Sequence, residues 1–296
     1  MSGRWSLIVH GGAKDIPPEE AEANRQGMRR ASEAGIAVLR EGGTAVAAVE
    51  AAIRAMEDDP TFNAGYGSEP DADGKVRMDA LLMDGKNLDI GAVCAIQGVR
   101  HPITVARLML RETPVLISGG GARTFGAGRG AELCDPDAMI APEVVAKQKK
   151  AKEKDTVGAV ALDIHGDIAC GTSTGGLEET VPGRVGDTAL PGCGSYADNG
   201  VGGVSFSGDG EMIARTLLAA RVMRDLERDL DPEAAARAAV AYMEQRVGGE
   251  AGGIVIDRRG RLGWSHNSTG FAIAYATSEK AEPRVFLSKD EEEKGG

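Results

Sequence analysis

Aromatic side chains are scarce: 4% of the 296 residues, with five Phe, four Tyr and two Trp. A sugar site is usually walled by stacked rings, and this chain has few to offer one. Basic residues are in the minority, 34 Lys and Arg against 45 Asp and Glu. The resulting net charge of −11 opposes nucleic acid as a partner, because that binding draws most of its affinity from basic groups neutralising phosphates. Cys94, Cys134, Cys170 and Cys193 show no Cys-x-x-Cys spacing. Neither a zinc knuckle nor a redox pair is indicated, and four reduced thiols in a cytosolic protein are expected. The four histidines, His10, His101, His165 and His266, are scattered, so no metal site or Ser-His-Asp triad can be read from spacing and each is expected to be structural. No apolar run reaches 18 residues, and the one near Met1 is too short for a signal peptide; no membrane contact and a cytoplasmic location are expected.

Two motifs are incomplete. Asp71-Ala72-Asp73-Gly74 lacks the further ligands and closing Glu of a calcium loop and reads as a hairpin turn. Gly119-Gly120-Gly121 lacks the Gly-Lys-Ser/Thr ending of a phosphate loop.

What the chain has in quantity is small residues, with 42 glycines and 42% hydrophobic content, suited to closely packed layers. Leu7-Ile8-Val9 reads as a buried strand ending in a turn at His10-Gly11-Gly12-Ala13. A helix is predicted from about Pro18 to Arg40, stopped by Gly42-Gly43, and a second from a Thr44 N-cap to about Asp58. Strands Val76 to Met83 and Asp89 to Ile96 form a predicted hairpin. His101-Pro102-Ile103 opens a helix to about Arg111, Val115 to Ser118 is a strand, and a glycine-rich stretch from Gly119 to Gly130 follows. From Ala141 to Asp155 the chain reads as a solvated linker, with a charge run from Lys147 that lacks an apolar face.

Beyond the linker, Thr156 to Asp163 and Asp167 to Thr174 are predicted antiparallel strands across His165-Gly166. A loop from Gly175 to Asn199 leads to a strand at Gly203 to Ser207, then helices from about Gly210 to Arg228 and Pro232 to Arg246. Strands follow at Gly253 to Asp257, Leu262 to Ser265 and Phe271 to Tyr275, and the charged tail from Lys289 is expected to be disordered. Runs of strands separated by runs of helices argue for stacked sheets covered by helices, an α+β pattern and not a βαβ alternation, and the length suits one large domain or two small ones.

A threonine opening a buried strand directly after a linker can be a nucleophile whose own α-amine is the base, once that amine is freed. Attack of the Thr156 hydroxyl on the Asp155 carbonyl gives an ester, and its hydrolysis leaves Thr156 as a new N-terminus. An α-amine of pKa about 7.7 to 8.0 then serves as general base near neutral pH. The strand fragment alone is equally a threonine placed for its β-propensity.

The surrounding segments extend the pattern. His10-Gly11-Gly12-Ala13, Phe62-Asn63-Ala64-Gly65-Tyr66-Gly67, Met78-Asp79-Ala80 with Met83-Asp84-Gly85, Asp155-Thr156-Val157-Gly158-Ala159, Thr172-Ser173-Thr174-Gly175-Gly176 and Pro182-Gly183-Arg184-Val185-Gly186-Asp187 occur in that order. Together with His101-Pro102-Ile103 and Gly208-Asp209-Gly210-Glu211 they resemble the plant-type L-asparaginase and isoaspartyl peptidase family along nearly the whole chain. The resemblance implies a single N-terminal-nucleophile hydrolase domain with a four-layer αββα sandwich. It also implies cleavage into a 1–155 α chain and a 156–296 β chain, and a dimer of the cleaved pairs. Hydrolysis of β-aspartyl dipeptides and L-asparagine, both small molecules, is the implied activity.

Carried over by position, Thr156 resembles the nucleophile and Thr174 the threonine that positions it. Arg184 resembles the clamp on the substrate α-carboxylate, a role suited to a planar fork of donors, and Asp187 the acceptor for the α-ammonium. Ser207-Gly208 stands where the family usually has Thr-Gly as oxyanion donors; serine keeps the hydroxyl but lacks the methyl that fixes its rotamer. Asn63 resembles an asparagine beside the nucleophile. The loop Met56 to Tyr66 resembles one that wraps a structural sodium ion with backbone carbonyls, and no other cofactor is implied. Asp155 departs from the glycine common before the nucleophile in the asparaginase group and resembles the glycosylasparaginase group, which is the alternative expectation.

Overall fold

The computed structural model describes residues 3–142 and 155–294. Residues 143–154 of the expected linker, which hold the charge run from Lys147 apart from Asp155, lie outside the described residues.

The strands are β1 (Ser6–Lys14), β2 (Met78–Asp84), β3 (Asp89–Ile96), β4 (Leu116–Ser118), β5 (Val157–Leu162), β6 (Ile168–Thr174), β7 (Ser195–Asp198), β8 (Gly202–Gly208), β9 (Ala251–Asp257), β10 (Leu262–His266), β11 (Gly270–Thr277) and β12 (Arg284–Phe286). They form an eight-stranded sheet in the order β12-β11-β1-β5-β6-β2-β3-β4 and a four-stranded sheet in the order β10-β9-β8-β7. Pairing is antiparallel except between β3 and β4. Residues before Thr156 supply β1 to β4 and those after it supply β5 to β12. The β5-β6 hairpin is therefore flanked by β1 on one side and β2 on the other.

Alternation along each strand decides what each sheet face meets, since successive side chains point to opposite faces. Leu7, Val9, Val157, Ala159, Ala80 and Leu82 join an apolar cluster with helices α1 (Pro18–Arg40) and α2 (Ala45–Glu57). Their neighbours Ile8, Val160, Leu81 and Met83 join a second cluster with Ile254, Ile256 and Trp264 of the small sheet. The other face of the small sheet sends Val204, Phe206 and Val255 into a third cluster with helices Leu218–Glu227 and Pro232–Val247. Fully burying each large aliphatic side chain is worth about 1.5–3 kcal/mol. The period-2 pattern thus fixes which way each strand faces.

The two N-terminal helices form where the sequence predicts them. Thr44 caps α2 by accepting from the Ala47 N–H at 3.2 Å, and Gly42 takes φ +80° where α1 stops. Elsewhere the structure corrects the sequence reading. The segment His10-Gly11-Gly12-Ala13 is not a terminating turn: β1 continues through it to Lys14, with a bulge between His10 and Ala13 in its pairing with β11. The glycine-rich stretch winds into a helix at Gly119–Ala127, against its intrinsic propensity. The expected loop from Gly175 to Asn199 contains β7. The helix read as continuous from Gly210 to Arg228 breaks at Leu217, whose φ of 52° is left-handed. The charged tail is ordered as a helix at Lys289–Lys294, because Glu292 accepts from Trp264 Nε1 at 3.0 Å and from the Tyr275 hydroxyl at 2.6 Å. β12 was not anticipated.

One buried acid joins layers. Glu57, at the end of α2, accepts from Ser173 Oγ of β6 at 2.7 Å and from the Ile103 N–H at 3.0 Å. Burial pushes its pKa from 4.5 up to about 8. A carboxyl raised on folding holds its proton longer in the native state, so stability falls as pH rises from 4.5 towards 8. Glu57→Gln mimics the protonated form and should flatten that fall. Melting curves at pH 5 and pH 9 check it: the variant should gain on the wild type between the two, and a constant difference counts against a titrating Glu57.

Candidate active site

The peptide between Asp155 and Thr156 sits at the entrance of β5, where the two sheets and the loop after α2 meet. In the uncut chain the Asp155 carbonyl oxygen accepts from Thr174 Oγ1 at 2.9 Å and from Asn63 Nδ2 at 3.4 Å. The Thr156 N–H donates to Ser207 Oγ at 3.2 Å, and Ser207 Oγ also accepts from the Ala13 N–H at 3.1 Å. Thr174 reaches this point because it ends β6, which pairs with β5 through Val157 and Ser173. Ser207 reaches it from the small sheet, near the end of β8.

Asn63 is held on three sides. Its Nδ2 also donates to the Gly176 carbonyl at 2.8 Å, its Oδ1 accepts from the Glu69 N–H at 3.0 Å, and its own carbonyl accepts from the Gly175 N–H at 2.9 Å. A turn residue alone needs none of these long-range bonds. Thr174 Oγ1 is oriented by accepting from the Gly176 N–H at 3.1 Å, which leaves its proton for the Asp155 carbonyl.

A cleft opens beside Thr156 and Thr174, and Arg184, Asp187 and Gly208 line it as well. All the residues singled out from sequence are therefore brought to one place, except that Ser207 and Asn63 lie just behind the lining. Arg184 presents its Nε and Nη2 to the Glu211 carboxylate, each bond 2.8 Å long. That edge of the fork is occupied, so an incoming carboxylate must meet the Nη1/Nη2 edge. Asp187 is buried, and burial pushes its pKa up to about 7, with the Arg184 charge pulling the other way. Asp79 of β2 is raised by burial to about 6 while accepting from the Ala95 and Gly186 N–H groups. It thereby ties the Arg184–Asp187 loop to the large sheet. Gly210 leaves room for the Arg184 and Asp187 side chains: a Cβ there would stand 2.8 Å from Asp187 Oδ1 and 3.0 Å from Arg184 Nη2.

Sequence reasoning missed Glu211, Asp79 and Lys14 as site residues. The first two lie in motifs that carry the family resemblance, and Lys14 follows the His-Gly-Gly-Ala segment directly. His10 is buried and shares a 2.7 Å hydrogen bond between Nε2 and Ser205 Oγ. Burial lowers its pKa to about 3, with a backbone bond at Thr156 opposing. A neutral imidazole tying β1 to β8 is in keeping with a structural role. No group of three or more His, Cys, Asp or Glu among the described residues could hold a metal ion, and no described helix is long and apolar enough to cross a membrane.

Two side-chain donors on one peptide carbonyl, a threonine beside it, and a carboxylate-binding arginine across the cleft make the constellation of an amide hydrolase. Comparison with known proteins narrows the class. A family profile described as "Asparaginase" matches residues 3–155 and 140–285. The isoaspartyl peptidase/L-asparaginase of Homo sapiens is 40% identical over 299 residues, covering 96% of each chain. That of Danio rerio is 40% identical over 289 residues and 93% of each chain, and that of Xenopus laevis 42% identical over 266 residues and 86% of each. The chain belongs to this asparaginase family.

Proposed function

We propose that the chain cuts its own Asp155–Thr156 bond and then hydrolyses β-aspartyl dipeptides and L-asparagine with Thr156 as the nucleophile. The observation that carries this reading is the Asp155 carbonyl held by Thr174 and Asn63 at the mouth of β5. Those donors are aimed where negative charge develops when a carbonyl is attacked.

In maturation the Thr156 Oγ forms a bond to the Asp155 carbonyl carbon, the C–N bond breaks, and the hydroxyl proton ends on the departing nitrogen. Water then hydrolyses the ester, giving an Asp155 carboxylate and restoring the Thr156 hydroxyl beside a free α-amine. In turnover that amine takes the hydroxyl proton, Thr156 attacks the substrate side-chain carbonyl, and the same proton leaves with ammonia or the peptide amine. Water releases aspartate from the acyl-enzyme. Arg184 reads the α-carboxylate and Asp187 the α-ammonium, while Ser207 and Gly208 serve the oxyanion.

The three apolar clusters support reading the architecture as one domain, 1–296, built as a four-layer αββα sandwich and cut into 1–155 and 156–296. A dimer of such cut pairs and a sodium ion at Met56 to Tyr66 belong to the same proposal. Backbone carbonyls are hard oxygen donors that suit an alkali cation, and those of Met56, Asp59 and Phe62 already turn the loop through backbone bonds.

The names of the curated relatives favour this substrate class over glycosylasparagine, as does the scarcity of aromatics for a sugar wall. Asp155 acts during maturation and becomes the end of the α chain, so it carries less weight for substrate choice. The test is a parallel assay of leucine, ammonia and amino-sugar release from β-Asp-Leu, L-asparagine and glycosylasparagine at equal concentration. The dipeptide should be turned over fastest, and faster amino-sugar release would reverse the assignment.

A further inference from the structure

Asp155 contributes more than its carbonyl. Its side chain makes a 2.6 Å ion pair with Lys14 Nζ, and the two side chains are only 1% and 3% exposed. Lys14 ends β1 and also donates to the Thr61 carbonyl at 3.4 Å, so it is anchored to the loop that carries Asn63. The β1 bulge is shaped to receive the carboxylate: Gly12 has φ +108°, and a Cβ there would fall 1.3 Å from Asp155 Oδ1. A charge pair this deep is costly to desolvate and is strongly destabilised when one partner is lost. Its place directly before the proposed scissile bond gives it a specific task.

We propose that Lys14 is a positioning residue for maturation, acting through the Asp155 carboxylate to hold the Asp155–Thr156 peptide against Thr174 and Asn63. The inference rests on the self-cleavage reading above. Rotation about the Asp155 Cα moves its carbonyl out of reach of both donors. The carbonyl bonds fix one end of that residue, and the ion pair in the Gly12 bulge fixes the other. Lys14 touches no reacting atom; the bond changes are those of the acyl shift and ester hydrolysis already described. It follows that lysine at 14, glycine at 12 and aspartate at 155 work as a set.

The test is a double-mutant cycle on the full-length chain, following fragment appearance by intact mass after rapid purification, with circular dichroism and melting as checks of folding. Lys14→Met and Asp155→Asn should each slow cutting, Lys14→Met by roughly tenfold or more. The double variant should cut no more slowly than Asp155→Asn alone, because Lys14 then has no carboxylate to hold. The double variant replaces the ion pair with neutral groups of similar size and is expected to fold even if Lys14→Met does not; slowed cutting by Asp155→Asn with no further loss in the double variant then supports the pair, and wild-type cutting by Asp155→Asn overturns it. Multiplying effects, or wild-type cutting by Lys14→Met, overturn the role of Lys14. A wild-type chain that is never cut at Asp155–Thr156 overturns the proposed function instead.

Discussion

Thr156→Ala should persist as one chain of full mass and show no measurable hydrolysis of either proposed substrate. Alanine keeps the backbone N–H that meets Ser207 Oγ and needs no more room, so β5 should form unchanged. What disappears is the only atom proposed to attack both the Asp155 carbonyl and the substrate. Two losses then coincide. The bond before residue 156 stays closed, which leaves no free α-amine, and no hydroxyl exists to be acylated. Removal of a hydrolase nucleophile costs about a millionfold in turnover, below the floor of an ordinary ammonia assay. Intact mass and N-terminal sequencing read the first loss and the assay reads the second. Fragments from the alanine variant, or a wild-type fragment beginning elsewhere, would remove Thr156 from the mechanism.

Arg184→Ala should still be cut and should lose most of its hydrolytic efficiency. The uncut chain has no substrate α-carboxylate for the guanidinium to bind, so maturation does not need it. In turnover, hydrogen bonds to charged groups are worth about 1.5–3 kcal/mol, or about one to two powers of ten in kcat/KM. The pairing with Glu211 adds a second expectation. Without Arg184 the carboxylates of Asp79, Asp187 and Glu211 face one another with less positive charge among them. Asp187, held near 7 partly by Arg184, should then rise further. Less of it is ionised at neutral pH, and the acid limb of kcat/KM should move to higher pH. Lysine at 184 should rescue poorly, because one ammonium cannot serve Glu211 and a substrate carboxylate with the geometry of a fork. Unchanged kinetics in the alanine variant would leave Arg184 as no more than a partner of Glu211.

Strands were legible in the sequence where both faces are buried. Val157 to Leu162 carries no polar side chain because a helix layer covers one face of β5 and the small sheet covers the other. Elements made by tertiary contact alone were not. β7 and β12 are four and three residues long and, unlike the similarly short but uncharged β4, each carry a charged residue in the run, and the C-terminal helix depends on Trp264 and Tyr275 from distant strands. The site divides the same way. Thr156, Thr174, Arg184 and Asp187 fall in segments with a recognisable order. Lys14 meets Asp155 across 141 positions of chain, and Glu211 meets the loop residue Arg184 from the start of a helix 27 positions on, so neither pairing has a local signal.

The strand order has a mechanical consequence for the proposed cut at Asp155–Thr156. Severing the backbone before β5 leaves β1 locked between β5 and β11, and β6 locked against β2, so the pieces alternate across the sheet like fingers of clasped hands. Neither half can slide away without tearing a row of main-chain bonds from a neighbour of the other half. Dilution and salt, which separate ordinary subunits, should leave the two together through any native purification, and they should part only when the whole molecule melts. Each half made alone would expose strand edges meant for the other. The proposed two-chain enzyme would then be reached from a single uncut precursor that folds first and is opened afterwards.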